Sequence, residues 1–194
     1  MRSLLSRRCF PSASATWIGA DYGTTLNLTG ALSSAQALTF AGAGTINKTT
    51  TGFGAVASIT KMGSGTTTLS VNSNSFGGAL VINEGTFKIA GSGVTIGGTS
   101  TITVQGPSGR LWIDDSVGAA TAHLGTGNRA ITLNGGALQF DGGAGASAQA
   151  MGALTTNRSK TNVITANRGA GTSLLTFLQW NNGGDSSTLF AGAG

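Results

Sequence analysis

One cysteine, one histidine and two prolines occur in 194 residues, and only 9% of the chain is charged. Each shortage excludes something. Cys9 alone closes no disulfide within the chain and rules out a cysteine-rich zinc site. His123 alone cannot build a histidine-based metal cluster. No apolar run reaches the ~18 to 20 residues of a membrane-spanning helix, and no terminal array of ten-residue strands with aromatic girdles marks an outer-membrane barrel. The opening MRSLLSRRCFPSASATW has the positive charge of a signal peptide but lacks the apolar stretch that must follow it. Residues 1–16 therefore read as a disordered tail, with no direct membrane insertion in this segment.

What is present is small and β-forming: 33 glycines, 28 threonines and 20 serines. Hydrophobic residues make up 39% of the chain and recur as short Val, Ile, Leu and Phe runs of strand length, enough apolar surface to offset ordering entropy. With charge far below the ~25% of an average domain, solubility must rest on Thr, Ser, Asn and backbone amides arranged as stacked polar ladders. The net charge of +5 suggests nucleic acid at first sight. Its placement argues otherwise, because Arg2, Arg7 and Arg8 lie in the tail and the other basic residues are scattered singly, whereas phosphate tracking needs cations clustered on one face. No nucleic-acid partner is expected.

The pattern Gly-x-apolar-x-apolar returns as Gly85–Ile89, Gly109–Ile113 and Gly136–Phe140, with a looser copy at Gly65–Leu69. Two copies extend further, since Ala79–Ile89 aligns without gaps on Ala130–Phe140, each reading strand, Asn-x-Gly turn, strand. Alternation puts Phe87, Ile89, Leu111, Ile113, Leu138 and Phe140 on one face, and Thr86, Lys88, Arg110, Trp112, Ala137 and Gln139 on the other. Such a turn between alternating strands ordinarily predicts an antiparallel hairpin. A unit that returns every 20 to 27 residues points instead to one unit per coil, with equivalent strands stacked in parallel. The expectation is an all-β fold, a right-handed parallel β-helix or closely related β-solenoid, over residues 17–194. Gly106-Pro107-Ser108 reads as an insertion, Gly142–Gly152 as a long loop, and short strands resume near Asn162–Thr165, Ser173–Leu178 and Thr188–Phe190.

The segment Lys61-Met62-Gly63-Ser64-Gly65-Thr66-Thr67-Thr68-Leu69, followed by Asn74-Ser75-Phe76-Gly77-Gly78 and Asn83-Glu84-Gly85-Thr86-Phe87, resembles the autotransporter-associated β-strand repeat. The likeness is close over residues 61–89 and looser from Gly125 to Phe177. It departs at Phe76, where the family has Tyr, at Phe87, where it has Leu, and at Thr67, which puts a gap or a hydroxyl where an inward apolar residue belongs. The resemblance implies the passenger domain of a long bacterial surface or secreted protein, associated with the outer membrane, in which the repeat assists export. It implies no catalytic residue.

Candidate chemistry is sparse. Asp114 and Asp115 follow a strand, and β-helical polysaccharide-cleaving enzymes use aspartate pairs; neighbours on a strand face opposite ways, so a turn with a solvated flank is the simpler expectation. His123 has no nucleophile signature around it and reads as a loop or partly buried structural residue. Gly42–Thr49 falls one glycine short of a phosphate-binding loop and cannot readily open the helix such a loop needs. Gly142–Ser147 mimics a calcium-binding nonapeptide but has Ser147 in place of the aspartate. Trp112 faces outward, while Trp17 and Trp180 lie outside the best repeat units; an exposed Trp suits sugar contact or packing under a loop. No catalytic, cofactor-binding or metal-ligating residue is assigned.

These readings make the chain a non-enzymatic, adhesin-like scaffold at the bacterial surface or outside the cell, part of a longer protein, facing surface polysaccharide, matrix or another cell. A carbohydrate-active enzyme or sugar-binding module is the alternative, and a truncated piece without independent function is a third. Open solenoid ends expose core and strand edges, so self-association is expected.

Overall fold

The computed structural model describes residues 15–32, 35–71, 77–96, 101–117, 122–125, 129–157 and 160–192, in which every helix or strand is a strand. Strands come in pairs. They are β1 (Thr16–Gly19) and β2 (Thr25–Leu28), β3 (Ala37–Ala41) and β4 (Thr45–Lys48), β5 (Ser58–Lys61) and β6 (Thr66–Leu69), β7 (Leu80–Ile82) and β8 (Gly85–Ala90). The chain continues through β9 (Ile102–Gln105) and β10 (Gly109–Asp114), β11 (Ile131–Asn134) and β12 (Ala137–Asp141), β13 (Ser147–Thr156) and β14 (Thr161–Asn167), β15 (Ser173–Asn182) and β16 (Ser187–Ala191). Odd strands build one eight-stranded sheet and even strands another, each in sequence order and parallel throughout. The Asn-x-Gly corner at Asn83–Gly85 therefore joins two sheets rather than closing a hairpin, and the fold is a parallel β-solenoid.

Register follows from alternation. In the odd sheet Leu38, Ile59, Leu80, Ile102, Ile131 and Leu154 stand in one inward row. In the even sheet Ile46, Thr67, Phe87, Leu111, Leu138 and Ile164 form the matching row. All of these side chains are buried. Each large apolar one contributes about 1.5 to 3 kcal/mol by leaving water, and a one-residue slip would turn a whole strand inside out. The third side is irregular: Leu32 bridges Phe53, Ile96 N–H donates to the His123 carbonyl at 2.8 Å, and Phe53, Val56, Val94, Ile96 and Leu124 close the core from there.

Outward rows account for the threonines. Thr25, Thr45, Thr66 and Thr86 stack on the even sheet, and Thr39, Thr60, Val81, Thr103, Thr132 and Thr155 on the odd one. β-branched side chains favour this pleated surface, and amides add rungs, with Asn47 donating to Asn27 and Asn134 to Gln105, both at 3.0 Å.

Glycines fill the corner between odd and even strands. Gly44, Gly65 and Gly85 directly precede the paired Thr45, Thr66 and Thr86, and Gly109 pairs with Gly85. A Cβ on Gly65 would lie 2.1 Å from the Gly44 carbonyl oxygen; one on Gly85, whose φ is +67°, would lie 2.4 Å from the oxygens of both Gly63 and Gly65. The repeated Gly of the sequence motif is thus the place where one corner rests on the backbone of the corner before it.

Two expectations change. Gly142–Gly152 is not one long loop: from Ser147 onward it belongs to β13, where Ser147–Met151 pair with β15, and Ser147, Gln149 and Met151 are buried. Small residues there look loop-like in sequence but suit a strand lying close against a neighbour. The solenoid also begins earlier than residue 17, with Thr16 already in β1, and residues 1–14 of the expected tail lie outside the described residues.

Thr67 behaves as the sequence suggests: it is buried between Ile46 and Phe87, and its hydroxyl has no hydrogen-bond partner among the described residues. Thr67→Val keeps the shape and removes an unpaired polar atom, so it should stabilise the chain by about 1 kcal/mol or more in denaturant unfolding. Gly85→Ala combines a strained φ with overpacking and should cost about 3 kcal/mol in the same measurement.

Candidate functional site

Charge and aromaticity meet at one place on the outer face of the even sheet. Register sets Lys88 beside Trp112 and Trp112 beside Gln139, with Asp114 beside Asp141 and Asp141 beside Asn167. The Lys88 ammonium lies 2.6 Å from an Asp114 oxygen and 3.7 Å from the centroid of the Trp112 ring. Trp112 Nε1 donates to Asp141 at 2.8 Å, Gln139 Nε2 donates to both Asp141 oxygens at 3.1 and 2.9 Å, and Asn167 donates to Asp141 at 2.6 Å. Arg110 reaches Gln139 Oε1 at 3.3 Å, and Ser116 donates to Asp114 from its N–H at 2.9 Å and from its hydroxyl.

Trp112, Asp114 and Asp141, an aromatic and two carboxylates of the kind a carbohydrate-active site uses, therefore share one face on adjacent coils. Asp115 does not, because the strand alternation turns it inward. The carboxylates are committed to internal donors. Burial alone would raise the Asp114 pKa, but hydrogen bonds from Lys88 and Ser116 outweigh it and hold the group below the usual carboxylate range. A glycosidic general acid needs the opposite shift. Lys88 also occupies a face of the Trp112 ring on which a sugar would stack.

The interior holds a second set. Asp114 and Asp115 are both buried, which corrects the expected solvated flank: Lys88 covers the first, and the second is drawn inside by His123. His123, expected to be at most partly buried, is fully enclosed. Its Nε2 meets the Asp115 carboxylate and its Nδ1 meets the Val94 carbonyl at 2.6 Å. Both ring nitrogens thus face oxygen atoms of the solenoid itself and are taken up by internal contacts. Nearby, Arg129 donates to the Leu124 and Ile96 carbonyls at 3.1 and 2.9 Å. These contacts tie the irregular third side together.

Two buried lysines complete the interior. Lys61, the first residue of the repeat motif, donates to the carbonyls of Met62, Gly63 and Glu84 at 2.8, 2.5 and 3.3 Å. Its three ammonium protons are satisfied by two successive corners. Lys48 does the same for the Leu28 and Gly30 carbonyls at 3.3 and 2.8 Å. Burial pulls the Lys61 pKa down to about 8, partly offset by Glu84, and lowers that of Lys48 as well. Sequence reading passed over both lysines, although each follows an inward isoleucine by two residues and so shares its face.

The remaining candidates do not converge. Gly42–Thr49 runs into strand β4 rather than a helix. Cys9 lies outside the described residues, and among those residues no three His, Cys, Asp or Glu side chains gather as metal ligands. Compared with family models, curated proteins and solved structures, the chain matches none.

Breaking the buried pair one partner at a time, with His123→Ala or Asp115→Ala, should cost about 1 to 3 kcal/mol by leaving a buried polar group without its hydrogen-bond partner. The double variant should cost less than the sum, as read in a denaturant double-mutant cycle. For Lys61, the folded chain releases its proton near pH 8, whereas the unfolded chain holds it to about 10.4. Stability should therefore rise with pH across that window. Lys61→Met should lose that part of the rise and, with three carbonyls unpaired, about 3 kcal/mol at pH 7.

Proposed function

We propose that this chain is a structural segment of a bacterial surface or secreted protein of the autotransporter passenger type, a rigid scaffold and not an enzyme. One observation carries the reading: the ionisable side chains most open to a chemical role are bound to neighbouring coils or to the solenoid's own backbone. Lys61 ties two corners, Asp141 ties three coils through Trp112, Gln139 and Asn167, and Asp115 and His123 fasten the third side. A site spent on cohesion has no acid, base or nucleophile left to offer.

The likeness of residues 61–89 to the export-associated repeat supports the surface location, and the Lys and Gly positions of that repeat are the ones that build the corners. Coils add length without changing the core, which suits presentation of the loops between strands to matrix, polysaccharide or another cell. Placed between a signal peptide and an outer-membrane barrel in a Gram-negative host, the chain should reach the outside and be shaved from intact cells by protease. Retention inside, with the flanking parts functional, would sink the reading. Incubation with acidic and neutral polysaccharides should give no cleavage. Binding without cleavage would favour a sugar-binding module, for which the shared face of Trp112, Gln139 and Asp141 is the supporting observation.

A further inference from the structure

We propose that the outer face of the odd-numbered sheet binds ice, taking the surface of a water crystal as its ligand. The face is a field of neutral side chains. Thr39, Thr60, Val81, Thr103, Thr132 and Thr155 run along its middle in register. Ala37 and Ser58 stand on one flank of this row, and Gln105 and Asn134 on the other. Only one ionisable residue occurs in β3, β5, β7, β9, β11 and β13, and it is Lys61, buried on the inward side. All six strands have a paired neighbour on both edges, so the face belongs to the body of the solenoid.

Coil stacking alone does not produce such a face. The even sheet has the same spacing, yet its outward positions carry Lys88, Arg110, Asp114 and Asp141, so charge is compatible with stacking where neighbouring groups compensate it. The pleat explains why the middle row is β-branched, and Val81 shows that valine fits it. It does not require a hydroxyl at the other five rungs. Those hydroxyls are also unspent: among the described residues, the side chains of Thr60, Thr103, Thr132 and Thr155 make no hydrogen bond to the protein, whereas the polar groups of the even face are bound to one another.

Ice asks for this combination. A charged group orients the water around it away from lattice positions, and a face without charge leaves its hydration water free to take them up. Each threonine then offers a methyl group, beside which first-shell water is orientationally restricted, and a hydroxyl that both donates to and accepts from lattice water. Successive rungs lie about 4.8 Å apart, close to the repeat of oxygen atoms along the a axis of hexagonal ice, and in-register stacking of like side chains favours a flat sheet. A periodic array of small neutral groups thus meets a ligand that is itself periodic.

The test uses the purified chain and no cells, so its result is independent of where the scaffold is placed. Freezing-point hysteresis, the habit of a single growing crystal and recovery of the chain from slowly grown ice are measured together. The parent should enter ice, facet the crystal and arrest its growth over a measurable temperature gap. Thr103→Tyr sets a ring in the middle of the face and should lose all three effects, while Thr66→Tyr, on the outer face of the even sheet, should keep them. If Thr103→Tyr loses its strand circular dichroism, Thr60→Tyr repeats the comparison. A parent excluded from ice with crystal growth unaltered would overturn the proposal. So would full activity in the folded odd-face variant, equal losses in Thr103→Tyr and Thr66→Tyr, or adsorption to microcrystalline cellulose or chitin with none to ice.

Discussion

Everything in this molecule depends on one contact, the parallel, in-register seating of each coil on the one before. Adjacent coils lie about 4.8 Å apart, and at the corners that distance leaves no room for a Cβ. Glycine at 65 and 85 is a consequence of backbone resting on backbone. Threonine on the outer rows is a consequence of identical positions recurring at one spacing, where β-branched groups pack against their own kind. Even the scarcity of charge follows, since like charges stacked at that spacing would repel along the whole ladder.

The few charges that remain are placed where the stacking rule leaves backbone groups unsatisfied. Carbonyls at the strand ends point toward the interior of the solenoid, and an ammonium with three donors serves several of them at once, as a hydroxyl or an amide could not. Lys61 and Lys48 fill that role. On the irregular third side, where strand pairing lapses, Arg129 and the His123–Asp115 pair supply the bonds that a ladder would have made. Burial of these groups is costly, which is tolerable because each one joins segments far apart in sequence.

Sequence alone carried the architecture a long way, for a definite reason. Inward rows at Phe87, Leu111 and Leu138 are set by period-2 alternation, and a recurring unit leaves parallel stacking as the economical packing. What it could not carry was depth and partnership. Asp114 and Asp115 look like a turn because neighbouring carboxylates usually are; only the register that places Lys88 over one and the fold that brings His123 to the other reverses this. Gly142–Gly152 reads as a loop because small residues lack a hydrophobic signal, and the pairing of Ser147–Met151 depends on β15, distant in sequence. The face shared by Trp112, Gln139, Asp141 and Asn167 is likewise a product of coil lengths, which alignment of a single chain on itself gives only approximately.

A fold made by repeating one interface has no internal reason to stop. In a globular domain the core is enclosed because its elements wrap around it; in a solenoid the core is a column, and every added coil buries the end of the previous one while exposing its own. Trp180 and Phe190 are exposed by this logic rather than by any peculiarity of their sequence. Natural sheets blunt such edges with proline, bulges, inward charges or a covering segment. Asp185, left-handed at φ 40°, turns the chain at the corner between β15 and β16. The stacking contact that holds the solenoid together is thus the same at every coil, whatever the number of coils.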